Sequence, residues 1–203
     1  MVVRVAALLA LIGLPMVASG QSLTSTVALC SDPMTTGPQK LASLSGAGWS
    51  AVTDPTPEQF ARLAGSLGPS FNSDMPVADM QSILPEISVG LANAVSGGIL
   101  QVFEGNGALL MIGVNPQPDN GLEHLTCLFA GPASDDIATH WQQYGGAEVT
   151  PLLGREITLF QGTVFNARDD ITYSEYQVWA RVPATLSDLT DTYRYERLET
   201  AAQ

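Results

Sequence analysis

Hydrophobic positions along the chain follow a helical period in some stretches and a strand-like one in others. In DPTPEQFARLAGSLGP, Phe60, Leu63, Ala64 and Leu67 share one helical face. Thr56, Pro57 and Gln59 supply a capping box with proline at the first helical position, and Gly68-Pro69 predicts the stop. SDMPVADMQSILPEISVGLANAVSGG carries Met80, Ile83, Leu84, Ile87, Leu91 and Val95 on the buried side of a longer helix. Pro85 lacks an N–H and crowds the preceding turn, which predicts a kink or a split there. PASDDIATHWQQYGG predicts a helix with Ser134 as N-cap, Asp135 and Asp136 at the positive dipole end, and Gly145 or Gly146 closing it. A short helix spans Pro38 to Leu44, and TLSDLTDTYRYERLET reads as a C-terminal helix candidate.

Strand patterns are equally plain. ILQVFE and ALLMIGV flank a Gly-Asn-Gly turn, a hairpin signal. GLEHLTCLFAG, GREITLFQG and ITYSEYQVWARV follow, and the residues leading to Cys30 read as a strand that ends at the cysteine. In ITYSEYQVWARV, Tyr176, Val178, Ala180 and Val182 alternate with Glu175, Gln177, Trp179 and Arg181. One face is then buried, and the other meets water or a partner. Short turns favour antiparallel pairing. The expected fold class is α+β, a mainly antiparallel sheet with helices packed on it, in a single globular domain over residues 21–203.

The segments beginning at Cys30 and Cys127 look related. Each runs from strand-like residues through a cysteine, a proline-containing loop, a short helix and a glycine-rich stop to a strand. Val52-Thr53 and Val149-Thr150 lie at the same offset from their cysteines, and a hairpin-like pair follows each. Internal duplication of a strand-helix-strand-hairpin unit, over 23–115 and 120–183, and chance resemblance both fit this pattern.

The first residues add a location. Arg4 precedes an apolar run from Val5 to Leu14, then Pro15 and the small residues Ala18-Ser19-Gly20. That order predicts a secretory signal peptide over 1–20, cleaved before Gln21. The run is shorter than the roughly 18 residues a bilayer crossing needs, so no membrane span is expected. Nor is a lipid anchor, because Leu29 precedes Cys30 and polar residues separate it from the apolar run. In an exported chain the two cysteines predict a Cys30–Cys127 disulfide, with buried free thiols or a redox pair as the alternatives. In the chain-entropy model so long a loop restrains the unfolded state by about 4–5 kcal/mol. A redox pair wants close spacing and cationic neighbours, and the sequence offers neither.

Charge narrows the partners. Eight basic residues stand against twenty acids, a net −12, and losing residues 1–20 removes only Arg4 to leave 7 against 20, or −13. Such a surface repels phosphate backbones, so nucleic acid is not an expected partner. His124 and His140, with Glu123, Asp135 and Asp136 nearby, are candidate metal ligands, although their spacing matches no ligand motif. There is no G-x-S-x-G elbow, and Gly105-Asn106-Gly107 enters a strand rather than a helix, so it is no phosphate loop. Glu104 reads as a hairpin-end residue. Trp179, set among Glu175 and Arg181, is a candidate contact residue, with burial under a C-terminal helix carrying Tyr193, Tyr195 and Arg197 as the alternative.

No cofactor is indicated. The reading is an exported, periplasmic or secreted envelope protein that acts as a ligand- or protein-binding accessory module. Its pocket is expected between the helix at 75–96 and the strands at 99–114. The alternative is a hydrolase or metal-dependent enzyme using His124, His140 and nearby carboxylates.

Overall fold

The computed structural model describes residues 22–72, 75–116, 122–135, 147–149, 158–168 and 171–201. Among them are four helices, α1 (Leu23–Ser31), α2 (Gly37–Ser43), α3 (Pro57–Phe71) and α4 (Val77–Ser96). Eight strands accompany them: β1 (Ser50–Val52), β2 (Gln101–Gly105), β3 (Ala108–Pro116), β4 (Glu123–Gly131), β5 (Ala147–Val149), β6 (Thr158–Arg168), β7 (Ile171–Arg181) and β8 (Asp191–Ala201). All pair antiparallel in one sheet of order β1-β2-β3-β4-β8-β7-β6-β5. The class is α+β.

That order is two four-stranded meanders joined where β4 lies beside β8, with Cys127 opposite Tyr195 and Leu125 opposite Arg197. The edges are β1 and β5, each only three residues long, which limits edge-to-edge pairing with another chain. The β2–β3 turn matches its sequence signal: Asn106 and Gly107 have φ of 48° and 77°, the two positive values that a tight hairpin turn requires.

Helices cover both faces of the sheet. On the first face, Leu23, Val27 and Cys30 of α1 and Leu44 just after α2 pack with Trp49, Leu110, Ile112, Leu125, Cys127, Phe129, Tyr193 and Tyr195. On the second, Phe60, Leu63, Ala64 and Leu67 of α3 and Leu91 of α4 pack with Val102, Leu109, Met111, Leu128 and Ala130. Met80 of α4 joins Val178, Ala180, Val182 and Leu186 farther along the same side. Strand β3 lies between these layers, and its residues 108–113 are buried without a break. Cys30 and Cys127 form a disulfide between α1 and β4, with their Cα atoms 6.2 Å apart and both residues fully buried.

Three sequence expectations are corrected: the strand before Cys30, the helix stop at Gly68-Pro69 and the C-terminal helix. The segment leading to Cys30 is helix α1, not a strand, with the Ser22 side chain capping it at the amide of Ser25. Tertiary contact overrides its β-branched residues. The segments before the two cysteines therefore differ, Cys30 lying on a helix and Cys127 on a strand, although β1 and β5 and the two hairpins take matching places in their meanders.

Helix α3 begins at the expected capping box, the Thr56 side chain accepting from the Gln59 amide and the Gln59 side chain from the Thr56 amide. It then continues through Gly68-Pro69 to Phe71. Proline removes one helical bond there, yet residues 63–70 are all buried, and Arg194 donates to the Ser70 carbonyl at 2.8 Å while lying over the Phe71 ring. Gly65 lets this helix lie against the strand-connecting segment, since a Cβ there would stand 2.0 Å from the Leu186 carbonyl oxygen.

Helix α4 runs unsplit through Pro85. Residues 191–201 form strand β8 rather than a helix, because Tyr193, Tyr195, Arg197 and Glu199 all turn to the first face and are buried there. The expected signal peptide lies outside the described residues, as does most of the expected helix after Ser134.

Candidate functional site

Two regions concentrate chemistry, and strand alternation explains the first. Odd-numbered residues of β7 and β8 face α1 and α2, so Tyr173, Glu175, Gln177 and Trp179 lie opposite Glu199, Arg197, Tyr195 and Tyr193. All eight are buried. The Tyr195 hydroxyl donates to Glu175 at 2.6 Å, and the Tyr193 hydroxyl donates to Gln177 at 3.3 Å. Burial, reinforced by that bond to Glu175, pushes the Tyr195 phenol well above its ordinary value.

Beside this pair the Arg197 guanidinium stands 3.2 Å from Glu199 and 3.7 Å from Glu123, with the Tyr173 ring against it. It also donates to the Thr35 carbonyl at 3.3 Å, while Glu123 accepts the Gly37 amide at 2.9 Å. This cluster therefore ties the α1–α2 loop to β4 and β8. Lys40, the chain's single lysine, is buried too and donates to the carbonyls of Leu29 and Asp32 at 2.8 and 2.7 Å, closing the C-terminal end of α1. These partners make the cluster a structural tie.

The second region is open. Ala61 of α3, Gln81, Leu84, Pro85 and Ser88 of α4, and Leu186 line a groove of ≈ 520 Å³. Its floor is apolar, with one amide and one hydroxyl among the lining side chains. A separate, polar cleft of ≈ 430 Å³ lies by the β2–β3 turn, lined by Ser50, Arg62, Glu104 and the turn backbone. Its charged groups are engaged: Arg62 makes a two-pronged bond to Asp188, at 2.9 and 2.8 Å, and Glu104 accepts from Gln59. The bond from Arg62 holds the Asp188 carboxyl below the usual carboxylate range.

The residues singled out by sequence are dispersed. Glu123 points to the first face, into the Arg197 cluster, whereas its neighbour His124 points to the opposite face, beside Leu198 and Asn115. Adjacent strand residues cannot converge on one ion from opposite sides of a sheet. Among the described residues no group of three or more His, Cys, Asp or Glu could hold a metal. His140 and Asp136 lie outside them, and Asp135 is within.

Trp179, for which the sequence allowed either an exposed contact role or burial, is fully buried, its ring 4.5 Å from that of Tyr193. The first face of β7 is therefore covered, with Glu175 and Gln177 accepting from Tyr195 and Tyr193 across the β7–β8 pair. Tyr193 and Tyr195 do lie against this face, but from strand β8 rather than a helix. Glu104 ends β2 as expected.

Sequence reasoning expected the pocket between α4 and the β2–β3 strands. The groove lies instead between α3 and α4, because α4 packs mainly along α3. The signal was the interruption of the apolar stripe of α4 by Pro85 and Ser88 beside Leu84. Comparison of the chain with protein-family models, curated proteins and solved structures gives no match to any of them.

Proposed function

We propose that the protein is an exported binding module that takes a small apolar ligand in the groove between α3 and α4. The observation that carries this reading is the groove itself: at ≈ 520 Å³, lined by Ala61, Leu84, Pro85 and Leu186 with Gln81 and Ser88 as polar contacts, it has the size and lining of a ligand site. Export is supported by the disulfide, a bond that oxidising compartments form and keep, and by the leader-like pattern of residues 1–20. In addition, no helix among the described residues is long and apolar enough to cross a membrane.

The test is a fluorescence titration with N-phenyl-1-naphthylamine, a neutral apolar probe. Saturable one-to-one binding is expected, weakened at least about tenfold by Ala61→Trp, which fills the groove from an exposed position. Absence of saturation, or equal affinity in the variant, would overturn the assignment of the groove. The intact mass of protein recovered from an expressing bacterium tests export separately, with a chain beginning at Gln21 and two thiols unreactive to alkylation until reduced as the expected result.

A further inference from the structure

Helix α1 is poorly equipped to exist by itself. It has nine residues, Thr24, Thr26 and Val27 among them are β-branched, and it carries no acid in its first turn and no base in its last. Isolated helices of that length and composition do not hold in water. Along the backbone it is followed by residues 32–36, which lead into α2.

What keeps α1 helical is what it touches. Leu23, Thr26, Val27 and Cys30 are buried against the first face of the sheet, Lys40 holds the carbonyls of Leu29 and Asp32, and Cys30 is bonded to Cys127. Residues Ile112, Leu125, Cys127 and Tyr195 of the same core belong to central strands paired on both sides, and the α3–α4 layer lies on the opposite face. Loss of α1 therefore removes a cover without removing a strand.

From this geometry we infer that α1 is a redox-controlled latch. With the Cys30–Cys127 bond closed, the helix seals the first face of the sheet. Two-electron reduction by an external dithiol releases it, while the sheet and the α3–α4 layer persist. One thiolate of the dithiol attacks one cystine sulfur, breaking the Cys30–Cys127 bond, expelling the other cysteine as a thiolate and forming a mixed disulfide. The second thiolate then attacks that bond and expels the remaining cysteine thiolate. The dithiol leaves as its own disulfide, and Cys30 and Cys127, after taking up two protons, are thiols. Both cysteines are fully buried, so the first attack waits for α1 to lift. The latch is independent of what the α3–α4 groove binds.

Hydrogen exchange read by mass spectrometry on the full chain, oxidised and after dithiothreitol, tests the latch. Amides of residues 23–36 should exchange at least about tenfold faster in the reduced protein, with those of α3 and β3 changed less than about twofold. Unchanged protection of 23–36 overturns the inference, and so does joint loss across α3 and β3, which would make the bond a global staple.

A second measurement does not require the reduced protein to stay folded. The rate at which dithiothreitol reduces the oxidised chain, followed by alkylation and intact mass, should be insensitive to low urea. It should rise at least about fivefold in Lys40→Met, which loosens the end of α1. A reduction rate that climbs with urea as steeply as global unfolding, or that ignores the Lys40 substitution, overturns the latch.

Discussion

On the first face of the sheet, α1 and α2 are fastened by a disulfide, a buried ammonium and a guanidinium–carboxylate cluster. On the second, α3 and α4 hold mainly through apolar side chains, supplemented by single bonds such as Ser66 to the Leu189 carbonyl. The contrast follows from length and pattern. Helix α3 has 15 residues and a continuous apolar stripe, and each large side chain it buries contributes about 1.5–3 kcal/mol. Helix α1 has nine residues and only two large aliphatic side chains in the core, Leu23 and Val27. A short element that cannot bury enough surface is kept in place by directional and covalent ties, whereas a long amphipathic one needs few. The two faces should therefore fail differently when perturbed.

The largest effect is expected at the centre of the polar tie. Arg197→Met keeps the bulk of the side chain but leaves Glu123 and Glu199 without their guanidinium, a loss of about 3–5 kcal/mol. Urea unfolding at neutral pH checks it: the midpoint should fall with little change in slope. A loss below about 1 kcal/mol would mean that the cluster relaxes into water and does not fasten the loop.

The second face is broken by shape. Gly65→Ala places a methyl carbon where the Leu186 carbonyl oxygen stands 2.0 Å away, so α3 must shift from its seat, at a cost of about 1–3 kcal/mol. Because α3 makes no use of the disulfide, the same loss should appear in oxidised and reduced protein. A loss that disappears on reduction would show that the two faces are not independent.

What sequence made legible divides along the same line. The capping box at Thr56, the β2–β3 turn, the α4 stripe and the Cys30–Cys127 bond each rest on local chemistry or on a simple count, and the structure carries all of them. The elements whose type was misread, α1 and β8, both lie on the first face, whereas on the second α3 only ran past its expected stop. Strand β8 looked helical because Arg197 and Glu199 occupy inward positions that alternation expects to be apolar, and their burial depends on Glu123, more than seventy residues away in sequence. The burial of Trp179 was only one of two readings for the same reason, since polar Glu175 and Gln177 share its face and find partners only across the β7–β8 pair. Helix α1 looked like a strand because its β-branched Thr24, Thr26 and Val27 and its short length outweigh the Ser22 cap until the sheet is beneath it. The groove was half visible: the stripe of α4 was legible, but not that α3 would be its neighbour.

The smallest effect isolates one bond of the first face by pH. Tyr195 is neutral in the fold, its phenol raised by burial and by the carboxylate of Glu175, while in the unfolded chain it titrates near the ordinary value of about 10. Above that pH the unfolded state gives up a proton that the folded state keeps, so stability that is fully present below about pH 10 falls as pH rises, by up to about 1.4 kcal/mol per unit. Tyr195→Phe should cost about 1 kcal/mol at neutral pH and flatten this alkaline decline. Gly65→Ala, on the opposite face, should lower stability at every pH and leave the decline as steep as in the parent. Urea midpoints from pH 8 to 11 measure both. A slope that survives Tyr195→Phe would place the alkaline sensitivity elsewhere, whereas a slope lost in Tyr195→Phe alone would assign it to the polar face and to one hydroxyl on it.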